Sequence, residues 1–151
     1  MRSKIKSFDD AGSMPFTPMT AVRDYHDIPG TYVFDGEHCR RGYHLNMFCK
    51  SLDHAENRES FRRDPQVYLA GFPMSDDQLA AIQGRDWLAM LRLGGNIYYT
   101  FKLAIFDGLT MQHAGALMSG VGMSVEEFRA MMLAGGRRIE GNRGKQEHAH
   151  G

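Results

Sequence analysis

Helix-start punctuation recurs along this chain often enough to fix its fold class. Ser75 stands three residues before Gln78, Ser124 three before Glu127, and Asp53 three before Glu56. At that spacing an N-cap side chain and a reciprocal amide or carboxylate satisfy free amides of a helix's first turn. Asp64-Pro65 is a fourth start signal, because proline at the first helical position gives up only an amide that the helix leaves unpaired. Glycines at Gly71, Gly84, Gly94-Gly95, Gly120 and Gly135-Gly136 close the segments in between.

Between these marks the apolar residues recur at helical spacing. Leu45, Phe48, Cys49 and Leu52 form one stripe of a helix expected over Gly36–Leu52. Val125, Phe128, Met131 and Met132 form another near the C-terminus. The stretch Asn96 to Phe106 is apolar nearly all round, which predicts a helix that is either central or sandwiched by a second chain. No segment alternates for long enough to build a sheet. The expected fold is all-α: a single irregular bundle of about seven short helices over residues 25–138. An extended arm is expected at residues 1–24, where Pro15 and Pro18 break any helix, and a flexible tail at residues 139–151.

Several function classes are excluded. The 18 basic and 18 acidic residues cancel, whereas nucleic-acid surfaces are strongly basic. No apolar run approaches the roughly 20 residues needed to span a bilayer. The N-terminal residues lack the apolar core of a secretory signal, so a cytoplasmic location is expected. Cys39 and Cys49 on one helix would lie about 15 Å apart, too far to pair, and read as buried reduced thiols. The seven histidines include no HExxH pair or other compact ligand spacing, and His38 and His44 point to different helix faces. Neither a nucleophile elbow nor a phosphate loop is present. Asp76-Asp77 and Glu126-Glu127 fall in first turns, where carboxylates complement the helix dipole. What remains is a helical domain with eleven methionines, an apolar loop at Phe72-Pro73-Met74 and no active site of its own. That combination fits a subunit or an adaptor better than a free-standing enzyme.

The order of motifs then carries a resemblance. Asp27-Ile28-Pro29-Gly30-Thr31, Arg41-Gly42-Tyr43-His44-Leu45-Asn46-Met47-Phe48 and Ala55-Glu56-Asn57-Arg58-Glu59 stand in sequence. Arg85-Asp86, Gly94-Gly95-Asn96-Ile97-Tyr98, Met123 to Glu127 and Gly135-Gly136-Arg137 follow. Over about residues 25–138 the chain resembles the α subunits of protocatechuate 4,5-dioxygenases. The resemblance implies a small helical subunit that covers the cleft of a larger β subunit, in an α2β2 assembly. It implies Fe(II) held by the β subunit through two histidines and one carboxylate, with none bound by this chain. The substrates implied are a catechol-type acid, protocatechuate by default or gallate, and dioxygen. A lid of this kind would exclude bulk water from the cleft. The alternative is a non-catalytic helical adaptor for an unrelated protein.

The resemblance also implies site residues. The segment after Asp107-Gly108 would face the active-site entrance, with Met111 where relatives carry Phe. A methionine fills an apolar wall but cannot stack on a substrate ring. Phe72, Pro73 and Met74 would form a second cleft-side segment, with Pro73 where relatives can carry Asn. Proline offers no side-chain hydrogen bond, so this position would not recognise a substrate carboxylate.

Overall fold

The computed structural model describes residues 32–136, and all regular structure within them is helical. Nine helices run in order: α1 Gly36–Arg41, α2 Tyr43–Ser51, α3 Ala55–Arg63, α4 Pro65–Ala70, α5 Asp76–Gln83, α6 Trp87–Arg92, α7 Ile97–Phe106, α8 Met111–Met118 and α9 Val125–Leu133. The arm expected at 1–24, the tail expected at 139–151 and the Asp27–Thr31 motif lie outside the described residues.

Local chemistry starts most of these helices. Ser75 with Gln78 and Ser124 with Glu127 both form complete reciprocal capping boxes. The Asp64 carboxylate accepts from the Val67 amide, and Pro65 is the first residue of α4. The Asp53 box does not form. The N-cap of α3 is His54, which makes no side-chain cap. The Asp53 carboxylate instead accepts from the Lys102 ammonium at 2.7 Å, and that hydrogen bond lowers its pKa. The single helix expected over Gly36–Leu52 is also two, parted at Gly42. A Cβ on Gly42 would lie 1.8 Å from the Gly94 carbonyl oxygen, so this residue is glycine because another turn of backbone rests on it.

That contact belongs to a junction that joins four helices. The last carbonyls of a helix have no partner within it. At the end of α6 three successive carbonyls are taken up by side chains from distant segments. Arg41 Nη2 donates to Arg92 at 2.5 Å, Gln78 Nε2 to Leu93 at 3.1 Å, and Asn46 Nδ2 to Gly94 at 2.9 Å. The Asn46 carbonyl also accepts from the Asn96 amide at 2.7 Å, just ahead of α7. Gln78 also donates to the Arg41 carbonyl at 3.0 Å and accepts from the Ser75 amide, so one buried amide serves three backbone groups.

The core gathers around α2, whose Leu45, Phe48 and Cys49 are fully buried, as their spacing predicts. Leu52, Phe61, Leu69, Ile82, Trp87, Met90, Leu103 and Met118 are among the residues that extend it. Burying each large apolar side chain is worth about 1.5–3 kcal/mol against leaving it in water. α2 packs chiefly on α7, α8 on α6 and α7, and α9 chiefly on α8. Cys49 is a free thiol whose pKa burial pushes up to about 12, while Cys39 is exposed rather than buried.

Candidate functional site

The apolar character of Asn96–Phe106 resolves into two faces. α7 buries Thr100, Leu103 and Ala104 against the core. Its other side exposes Ile97, Ile105 and Tyr98, the last 75% accessible. α9 departs further from expectation. Its Val125–Met132 stripe buries none of its residues, and Leu133 is 80% exposed. Only Phe128 reaches far inward, where its ring lies against Gly115 of α8 so closely that a Cβ there would meet it at 2.5 Å.

Between these faces lies an apolar cavity of about 530 Å³. Ile97, Tyr98 and Phe101 of α7 form one wall, Met111 and Met118 of α8 the floor, and Phe128 and Met132 of α9 the other wall. Tyr32 and Phe34 close one end. A smaller depression, again containing Met111, Phe128 and Met132, adjoins it and reaches Leu133. No Asp, Glu, Lys, Arg or His lines the larger cavity. Asn96 caps α7 and Ser119 donates to the Ala116 carbonyl, so the other polar side chains of its lining are the phenols of Tyr32 and Tyr98. Such a surface can displace water and provide an apolar wall, and it holds no carboxylate, imidazole, amine or thiol.

Met111 is therefore half-exposed at an apolar opening. The Phe72-Pro73-Met74 segment lies elsewhere. Phe72 is half-buried with its ring 5.7 Å from both Phe48 and Tyr68, and Met74 packs on the core. Pro73 alone of the three is exposed. Neither cavity that Met111 lines includes them. A larger hollow of about 870 Å³ opens between α3, α4 and the end of α7, lined by Phe61, Arg62 and Arg85 among others. Its charges are largely paired, Arg62 with Glu59 and Arg85 with Asp107.

Arg85 is the residue to which sequence reasoning gave no role. It follows α5 with φ at 52°, the one non-glycine residue at positive φ among those described. That left-handed conformation costs a side-chain-bearing residue roughly 1–2 kcal/mol. The side chain explains why the conformation persists. Nε and Nη2 grip both oxygens of Asp107 at 2.5 and 2.9 Å, and Nη1 donates to the Ile82 carbonyl at 2.6 Å. Asp107 is the C-cap of α7, where a carboxylate opposes the helix dipole. Each partner thus occupies a locally unfavourable place that the other offsets. No local pattern announces a pair separated by 22 positions.

Among the described residues, no group of three or more His, Cys, Asp or Glu is placed to hold a metal ion, and no helix is long and apolar enough to cross a membrane. Residues 45–133, more than half of the chain and all of α3 to α9, match a family described as the LigA subunit of the aromatic-ring-opening dioxygenase LigAB. A gallate dioxygenase of Pseudomonas putida is 26% identical over 101 residues, which are 67% of this chain and 29% of that relative. The chain therefore spans under a third of that relative's length.

Proposed function

Because this chain belongs to the LigA-subunit family of aromatic-ring-opening dioxygenases, we propose that it covers the active-site cleft of a larger, iron-bearing chain. The observation that carries this reading is the apolar face of α7, α8 and α9 that the other described residues leave open. Tyr98 and Met132 are more than half open to solvent and Met111 is about half open around a cavity without a charged lining, and Leu133 is exposed beside it. Contiguous apolar patches on that scale mark contact surfaces, and a helix with no buried residue needs a cover to repay its ordering. The length relation supports the same reading, since most of the gallate dioxygenase lies outside the matched region. In a two-chain system that remainder would be the partner.

Iron, in this reading, is held by two histidines and a carboxylate of the partner. When bound there, iron would bring a catechol-type acid and dioxygen together. The part of this chain is to exclude bulk water and to supply an apolar wall through Met111. The proposed substrate is protocatechuate cleaved at its 4,5 position, or gallate. The proposed assembly is α2β2 in the cytoplasm.

Oxygen uptake with Fe(II) and either acid tests the reading, comparing this chain, the candidate larger chain and the co-expressed pair. Co-purification with uptake at least about 100-fold above either chain alone is expected. A chain that binds no such partner and leaves its activity unchanged would favour the adaptor alternative. Within the active pair, Met111→Ala should raise KM for at least one catechol acid roughly fivefold to tenfold, as expected for losing a few methylene-sized contacts. Iron content should not change. Identical kinetics with protocatechuate and gallate would remove Met111 from the entrance.

A further inference from the structure

The turn that delivers Met111 is four residues long, Asp107 to Thr110, between the end of α7 and the first residue of α8. Its own bonds are short-range: the Leu109 amide donates to the Ala104 carbonyl, and the His113 amide to Thr110 Oγ1. Gly108 has φ at 80° and nothing within 4 Å of where a Cβ would stand, while Leu109 packs half-buried on the core. The polar tie to the rest of the bundle is the two-toothed grip of Arg85 on Asp107. The position of Arg85 makes that tie informative. A residue just past a helix end in the left-handed region is ordinarily glycine. Glycine is available one residue earlier, as Gly84, but in the right-handed region. Arginine stands where glycine would relieve the backbone, and its guanidinium reaches the base of the entrance turn. Strained residues of this kind persist where the conformation serves a site.

We infer that Arg85 and Asp107 form a positioning pair that fixes the Asp107–Thr110 turn, and through it Met111, at the substrate entrance of the assembled dioxygenase. The inference rests on the lid-subunit reading above. Neither residue touches the substrate. The pair acts by narrowing the range of positions open to the Met111 side chain, as a fork-to-carboxylate contact does better than a single ammonium.

Arg85→Gly separates this role from simple stability, because glycine relieves the backbone while removing the grip. The test uses the full chain co-expressed with its partner, with Asp53→Asn as control. The control breaks another ion pair on α7, that of Asp53 with Lys102, away from the turn. In Arg85→Gly the expected results are a melting temperature within about 3 °C of the parent and roughly tenfold faster amide exchange at Leu109 and His113. KM should rise about fivefold with kcat within about twofold. Arg85→Lys, which cannot make both contacts, should move exchange and KM in the same direction, and Asp53→Asn should move neither. Unchanged exchange at Leu109 and His113 overturns the inference. So does faster exchange with KM unchanged in an active complex. A parent complex that cleaves no catechol acid overturns the lid-subunit reading and the entrance role with it. That failure is recognisable because it is present before any substitution is made.

Discussion

Replacing Gly42 by alanine should lower the melting temperature of this chain by about 15 °C, the shift that a loss of about 3 kcal/mol produces in a domain of this size. The cause is contact rather than conformation. Gly42 has φ at −90° and ψ at 7°, which alanine adopts readily. The added methyl would sit 1.8 Å from the Gly94 oxygen and 2.3 Å from its carbonyl carbon. Neither atom belongs to a flexible side chain, so α6 and α2 must move apart. A Cβ on Gly94 would in turn meet the Gly42 nitrogen at 2.6 Å, so the two backbones crowd each other from both sides. Gly36→Ala is the comparison. It adds the same methyl at the start of α1 with nothing within 4 Å, and should be neutral or slightly stabilising. Thermal melts by circular dichroism decide the matter. A Gly42→Ala chain that melts within 2–3 °C (about half a kcal/mol) of the parent would show that the helix ends part freely.

Asn46→Leu should be nearly as damaging, at about 3 kcal/mol, although leucine is close to asparagine in size and more apolar. Asn46 is 3% exposed, and its two amide atoms serve the Gly94 carbonyl and the Asn96 amide. Leucine would leave both backbone groups buried without partners, each costing about 1–3 kcal/mol. Asn46→Asp sharpens the test. Its carboxylate could still accept from Asn96 but would face the Gly94 oxygen with no proton to donate. Burial and that carbonyl favour the protonated acid, so its folded pKa would lie above the unfolded value. The stability deficit of Asn46→Asp should therefore grow as pH rises through the carboxyl's folded pKa and shrink toward acid pH. Urea denaturation of the variants between pH 5 and 7 (about the range in which raised carboxyl pKa values fall) would show it. An Asn46→Leu chain as stable as the parent would mean that water replaces the amide.

What the sequence made legible follows from how far each interaction reaches. The boxes at Ser75 and Ser124 close over three residues, so their spacing is the whole signal. The all-α class and the buried stripe of α2 follow from the same short range. The break at Gly42 was invisible because its cause, Gly94, lies 52 positions away and meets it only in the folded bundle. Asp53 misled for a related reason. Its spacing to Glu56 fits a box, but Lys102 offers a charged donor that a local pattern cannot show. The α9 stripe was legible as a stripe, yet periodicity does not say which molecule covers it. The candidate site divides in the same way. Resemblance singled out Met111, and the structure sets it in an apolar opening. It included Arg85 in a motif but gave it no role, because that role lies in a backbone angle and a distant partner.

The carbonyl junction at the end of α6 bears on how long the chain survives without a partner. Its three donors come from α1, α2 and α5, so it exists only when those segments are together. The longest helix among the described residues has 10 residues, and helices under about 12 are marginal alone in water. Partial structures would then have little to hold them, and opening the junction should release most of the bundle at once. Proteases cut such a chain in proportion to the fraction fully open. A bound partner lowers that fraction by mass action. Under the proposed pairing, supply of the larger chain would set the abundance of this one after synthesis, with excess copies cleared and matched copies kept.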